Sequence, residues 1–235
     1  MPSTLIVALD LKDDTQAFQI MDKLDPSSCA LKVGSEMFTR FGPLFVKQII
    51  DKGFRVFLDL KFHDIPNTVA AACKSAADLG VWMVNVHAAG GLRMMEAANN
   101  VIASYGKQRP ILIAVTVLTS MDQADLLEQG IECTPNQQVL KLAKMAHASE
   151  LDGVVCSSHE ARDIKQAVGP HFITVTPGIR LLDDSANDQR RVMTPDKAIQ
   201  AGSDYLVVGR SITNARDPHQ AVMNVLELIS QGKDA

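Results

Sequence analysis

Two carboxylates and an ammonium group sit close together in the segment FLDLKFHDIPNT, residues 57–68. Asp59 and Lys61 are two residues apart, which on a strand puts both on one face and leaves Leu58 and Leu60 on the other. Burying an ionised acid and an ammonium is costly unless each satisfies the other and further hydrogen bonds complete them. A pair of this kind aimed into a core therefore argues that something repays the desolvation, which places a functional role ahead of a purely structural one. A structural ion pair is the competing reading. Asp64 taken alone suits a helix N-cap or a solvated turn ahead of Pro66.

A second group of segments suits an anion. TPGIR, Thr176 to Arg180, and VVGRSI, Val207 to Ile212, each combine a glycine that lets backbone amides approach a ligand with an arginine that can form paired charge-assisted hydrogen bonds. Together, Gly178 with Arg180 and Gly209 with Arg210 read as a phosphate cradle; glycine turns beside solvated arginines are the alternative. The six histidines show no HxH or HxxxH spacing, so no metal site is expected. Cys29 and Cys156 fall in apolar runs and read as core residues, and the ten methionines read as helix packing.

The elements that would position these groups alternate along the whole chain. Short apolar, β-branched runs at Thr4–Asp10, Cys29–Gly34, Arg55–Lys61, Met83–His87, Ile111–Leu118, Gly153–Ser157, Phe172–Thr176 and Tyr205–Gly209 predict eight strands. Their near-continuous apolarity suits parallel strands buried on both faces. Amphipathic or alanine-rich segments between them predict helices over Asp14–Leu24, Glu36–Lys52, Thr68–Leu79, Leu92–Ser104, Gln137–Leu151, Glu160–Val168, Pro195–Ala201 and Pro218–Ile229. Gly80, Gly130, Gly153 and Gly202 stand where helices should end and the chain turn to the next strand. Residues 121–135 read as a connection.

Eight β/α units predict an α/β fold closed as a (β/α)₈ TIM barrel, with one domain over residues 1–235; an open doubly wound sheet shares the same alternation. In such a barrel the chemistry collects where the strands end. The candidate residues there are Asp10, Lys32, Asp59 with Lys61, His87, and Thr116 leading to Thr119.

A net charge of −4 with scattered lysines and arginines gives no basic stripe for nucleic acid. Four separated cysteines without a CxxC pair suit a reducing cytoplasm. No apolar run reaches the length of a membrane span, and Leu5–Leu9 is too short for a signal core.

From Ile6 to the C-terminal helix the chain resembles the orotidine 5′-monophosphate decarboxylases. The pattern D-x-K-x-x-D-I-P-N-T stands uninterrupted from Asp59 to Thr68, and ALD, LKVG, VLTS, TPGIR, DQRR and VGR follow in family order. The resemblance implies decarboxylation of orotidine 5′-monophosphate to uridine 5′-monophosphate without a cofactor or metal. Lys61 would be the proton donor within a network of Asp59, Lys32 and Asp64. Asp10 and Lys32 would hold ribose hydroxyls, Thr119 with Ser120 the pyrimidine edge, and Gln189, Arg180, Arg210 and the Gly209 amide the phosphate. It also implies a homodimer in which Asp64 and Thr68 reach the partner's site, and a lid over Leu181–Gln189. A magnesium-dependent sugar-phosphate decarboxylase or hexulose-phosphate synthase shares the D-x-K-x-x-D core but needs a carboxylate where this chain has Lys32. A non-catalytic phospho-ligand sensor on the same scaffold is the reading from another class.

Overall fold

In the computed structural model, which describes residues 4–181 and 192–234, the eight apolar runs form strands β1 (Leu5–Ala8), β2 (Ala30–Gly34), β3 (Val56–Phe62), β4 (Met83–His87), β5 (Ile111–Val115), β6 (Gly153–Val155), β7 (Ile173–Thr176) and β8 (Tyr205–Val208). All neighbours pair in parallel, and β8 closes on β1 through Leu5 and Leu206. That last pairing makes the sheet a barrel and excludes the open alternative.

The period of two along each strand builds two cores. Inward residues Ile6, Ala8, Ala30, Phe57, Met83, Ile113, Val175 and Val207 fill the barrel. Outward neighbours such as Leu5, Val7, Leu31, Leu58 and Val84 pack beneath the helices. These helices are α1 (Asp14–Met21), α2 (Ser35–Asp51), α3 (Pro66–Asp78), α4 (Leu92–Ala103), α5 (Gln123–Glu128), α6 (Pro135–Ala148), α7 (Ser158–Val168), α8 (Pro195–Gln200), α9 (Arg210–Thr213) and α10 (Pro218–Asp234).

Several boundaries differ from the sequence expectation for physical reasons. β1, β5 and β6 stop two or three residues early, at Ala8, Val115 and Val155, with single bonds from the Leu9, Thr116 and Cys156 amides to the Lys32, Val155 and Val175 carbonyls beyond them. α6 and α7 begin earlier than predicted, since Thr134 with Gln137 and Ser157 with Glu160 form reciprocal capping boxes. The segment 121–135 is more than a connection: Asp122 caps α5 within it.

Gly80, Gly130 and Gly202 follow helices as expected, but Gly153 lies inside β6. A Cβ there would stand 2.2 Å from the Ile173 carbonyl oxygen on β7, so this glycine serves strand approach and not a helix cap. Gly153→Ala is expected to lower the melting temperature by about 3–10 °C through overpacking. A thermal shift within one degree of the parent would contradict that close approach.

Charges at the N-terminal end of the barrel are spent on architecture. Arg109 makes a paired contact with Asp152 at 2.9 and 2.8 Å, and Asp152 also accepts from the Leu112 amide. Lys165 meets Asp204 at 2.6 Å, and Asp204 accepts from the Thr174 amide at the start of β7. The charges at the opposite end are arranged differently.

Candidate active site

β3 carries Phe57, Asp59 and Lys61 towards the barrel axis, while Leu58 is buried in the outer core and Leu60 packs against it. The expected division of faces is therefore present. At its end β3 departs from regular pairing: its register with β4 shifts between Leu58 and Phe62, and Lys61 adopts a φ of +53°. Such a backbone costs a non-glycine residue about 1 kcal/mol or more and persists only when its surroundings hold it.

Those surroundings form a connected row of charges. Lys61 Nζ lies 2.8 Å from Asp59 Oδ1. Asp59 Oδ2 lies 3.3 Å from Lys32 Nζ, which also meets Asp10 Oδ1 at 3.0 Å. Sign alternates along Asp10, Lys32, Asp59 and Lys61. Asp59 and Lys32 are buried, Lys61 is partly open, and Asp10 is exposed on the solvent side.

Burial alone would push the Asp59 carboxyl up, but Lys32 and Lys61, with hydrogen bonds from Lys61 and Asn85, hold it below the ordinary aspartate value. Burial likewise opposes charge on Lys32, and Asp59 and Asp10 outweigh it, so its ammonium is held above the usual lysine value. Both shifts favour the charged forms.

These groups form one wall of a cavity of about 520 Å³ at the C-terminal mouth of the barrel. Its floor is apolar, made by Ala8, Phe57, Val115, Val155, Val175 and Val207. Thr119 and Ser120, beyond β5, line a second side. Gly178 and Arg180 beyond β7, with Gly209 and Arg210 beyond β8, line a third. Gly178 has a φ of +80°, a conformation suited to glycine. Its carbonyl accepts from the Met193 amide at 3.2 Å, and the Arg180 amide donates back to the Met193 carbonyl at 3.1 Å.

The cavity thus gathers Asp10, Lys32, Asp59, Lys61, Thr119, Arg180, Gly209 and Arg210, which the sequence put in six separate strands or strand ends. It does not gather Asp64 or Thr68: both are exposed, and Asp64 Oδ1 accepts from the Ile65 amide. Gln189 and the lid segment, apart from Leu181, lie outside the described residues. Thr116 is no part of the site, since its hydroxyl donates to the Val155 carbonyl at 2.8 Å within the barrel wall.

His87 stacks on His63 with ring centroids 5.3 Å apart. Burial, reinforced by His63 and Lys61, holds the His87 imidazole below its ordinary value. Sequence reasoning passed over Asn85, whose side chain donates to Asp59 Oδ1 at 2.7 Å and accepts from the Lys61 amide at 2.8 Å. Its one signal in the sequence is an amide at an inward position of the apolar run MVNVH.

Arranged this way, the site can take a ligand with an anionic end on the arginine side and a reacting atom beside the Lys61 ammonium. Comparison with known proteins identifies the chain's relatives. The profile of the Orotidine 5′-phosphate decarboxylase / HUMPS family matches residues 3–225. The orotidine 5′-phosphate decarboxylase of Psychromonas ingrahamii is 62% identical over 221 residues, covering 94% of each chain. That of Legionella pneumophila strain Paris is 59% identical over 226 residues, covering 96% of this chain and 99% of the relative. The crystal structure of orotidine 5′-phosphate decarboxylase from Lactobacillus acidophilus superposes with a TM-score of 0.85 at 40% identity, covering 96% of this chain and 98% of that one. The chain belongs to the orotidine 5′-phosphate decarboxylase / HUMPS family.

Proposed function

We propose that this chain decarboxylates orotidine 5′-monophosphate to uridine 5′-monophosphate, completing de novo pyrimidine nucleotide synthesis, with Lys61 as the proton donor and no cofactor. The observation that carries the reading is the Asp59 carboxylate shared between two ammonium groups, with Lys61 open to the cavity.

The bond from carbon 6 of the ring to the carboxylate breaks, carbon dioxide leaves, and the electron pair remains in the ring plane, where the π system delocalises it poorly. Unaided, that barrier is very high. An ammonium about 4 Å from the growing charge contributes about 4 kcal/mol at an effective dielectric near 20. This attraction grows as the carbon–carbon bond breaks, so it favours the transition state over bound substrate. Lys61 then transfers a proton to carbon 6 and recovers one from solvent. Asp59, ionised and fixed, holds that ammonium in place.

In this reading Asp10 and Lys32 hold the ribose hydroxyls, Thr119 and Ser120 meet the pyrimidine edge, and Arg180, Arg210 and the Gly209 amide hold the phosphate. Asp64 and Thr68 act across a homodimer. Their exposure supports this, as do the large apolar residues left open beyond three consecutive strands: Ile65, Leu92 and Leu118 are 67%, 42% and 39% exposed. The four cysteines form no disulfide, which suits the cytoplasm, and among the described residues no helix is long and apolar enough to cross a membrane.

The magnesium-dependent reading fits the donor set poorly, because the Lys32 ammonium occupies the position between Asp10 and Asp59. Incubating the purified chain with orotidine 5′-monophosphate in excess chelator, and following loss of its ultraviolet absorbance, tests the proposal. Conversion to uridine 5′-monophosphate is expected; no change at high enzyme concentration would favour the phospho-ligand sensor. Arg210→Ala is expected to raise KM for the nucleotide roughly 10- to 100-fold with a smaller effect on kcat, as a charge-assisted phosphate contact is lost. Equal affinity of the parent for nucleotide and unphosphorylated nucleoside would overturn the cradle assignment.

A further inference from the structure

We propose that Asn85 is a positioning residue for the proton-transfer step: its side-chain amide fixes the Lys61 backbone and the Asp59 carboxylate together, and so aims the Lys61 ammonium. This deepens, and rests on, the reading of Lys61 as proton donor.

Asn85 is fully buried on β4 and does not line the cavity, so it can act only through its neighbours. It sits on a firm support. The pairing of β4 with β5 runs unbroken through Asn85 and Ile113. On its other side, the pairing of β3 with β4 is interrupted between Leu58 and Phe62, where Lys61 has a φ of +53°. The Lys61 amide turned out of the ladder would be a buried donor in need of an acceptor. Asn85 Oδ1 takes that place at 2.8 Å.

The other end of the same amide donates to Asp59 Oδ1 at 2.7 Å. That oxygen also receives Lys61 Nζ, while Oδ2 faces Lys32. The carboxylate is therefore held against rotation, and each of its oxygens is committed to one lysine. The orientation of the Asn85 amide is itself unambiguous, because a backbone N–H only donates and a carboxylate only accepts.

Few side chains meet both demands. The position requires one donor and one acceptor, neutral overall, spanning a strand to reach two groups. Leucine would orphan both partners. An ionised carboxylate would face Asp59 as a like charge, whereas a protonated one would reproduce the donor and acceptor of asparagine.

The test compares parent, Asn85→Ala and Asn85→Asp as full chains with orotidine 5′-monophosphate, and measures binding of uridine 5′-monophosphate as a check of folding and site integrity. For Asn85→Ala, kcat is expected to fall about 100-fold through misplacement of the reacting groups, with KM and product affinity changed by less than about threefold. For Asn85→Asp, kcat is expected to approach the parent's at the acidic end of the range and to fall as the added acid ionises against Asp59. Lys61, Lys32, and farther out His87 and His63, are the other titratable groups that bear on that profile.

An alanine variant with kcat within about threefold of the parent would overturn the proposal, since a positioning contact of this kind is worth far more. So would parallel losses of kcat and product binding in both variants with no recovery at acidic pH, which would mark a packing role. A parent enzyme that fails to turn over condemns the functional reading instead, so the two failures are distinguishable.

Discussion

Lys61→Ala is expected to reduce decarboxylation by about four to six orders of magnitude, because in the proposed mechanism it removes both the proton donor and the charge facing the developing carbanion. The fold should survive. Alanine at a φ of +53° bears much the same backbone cost as lysine, and Asp59 keeps Lys32 and Asn85 as partners. Product binding should also persist, since the arginines on the far side of the cavity are untouched. Steady-state turnover alongside calorimetric binding of uridine 5′-monophosphate checks both statements. Turnover within tenfold of the parent would remove Lys61 from the mechanism.

Asp59→Ala is expected to damage stability and activity together. It leaves Lys32, with a side chain only 10% exposed, to the single exposed acid Asp10, and leaves Lys61 without its partner. Removing one member of a buried pair costs about 3–5 kcal/mol, or roughly 6–20 °C in melting temperature for a chain of this size. Because the folded-state pKa of Asp59 is lowered, its stabilisation is fully present above the ordinary aspartate range. It is lost as pH falls through the lowered value. The difference in melting temperature between parent and variant should therefore be flat near neutrality and shrink only in acid, below about pH 4. Lys32 works in the opposite sense. Its raised pKa means that its contribution is complete below the ordinary lysine value and fades as pH rises through the raised one. A gap that widened in acid would contradict the assignment.

Much of this architecture was legible because it follows from period and type. Eight apolar runs buried on both faces gave the parallel barrel, and the two-residue spacing of Asp59 and Lys61 gave their common face. What stayed hidden depends on contacts between distant segments. Nothing about lysine signals a positive φ, so the bulge at Lys61 is invisible until β4 is placed beside β3. Asn85 looked like one more polar residue in a strand for the same reason: its partners lie 24 and 26 positions away. Glycine after a helix usually serves a turn, which is how Gly153 reads in sequence, whereas here the approach of Ile173 decides. The hydroxyl of Thr116 was expected at the mouth and instead closes on a neighbouring strand. Asp64 and Thr68 follow β3 in sequence but project outside the cavity of their own chain, an arrangement that local pattern does not reveal.

The charges at the two ends of the barrel illustrate how position separates architecture from chemistry. Arg109 with Asp152 and Lys165 with Asp204 each tie a strand start to its surroundings through backbone as well as side-chain bonds. At the mouth, Asp10, Lys32, Asp59 and Lys61 instead border an apolar-floored space large enough for a nucleotide. Similar ion pairs thus serve different ends, and the cavity tells them apart.

The most direct test is the reaction run in heavy water with metal-free protein, with mass analysis of the nucleotide produced. An exchangeable ammonium at Lys61 predicts release of one carbon dioxide per substrate and one deuterium at carbon 6 of uridine 5′-monophosphate. Absence of conversion, or product carrying no deuterium at that carbon, would contradict the account.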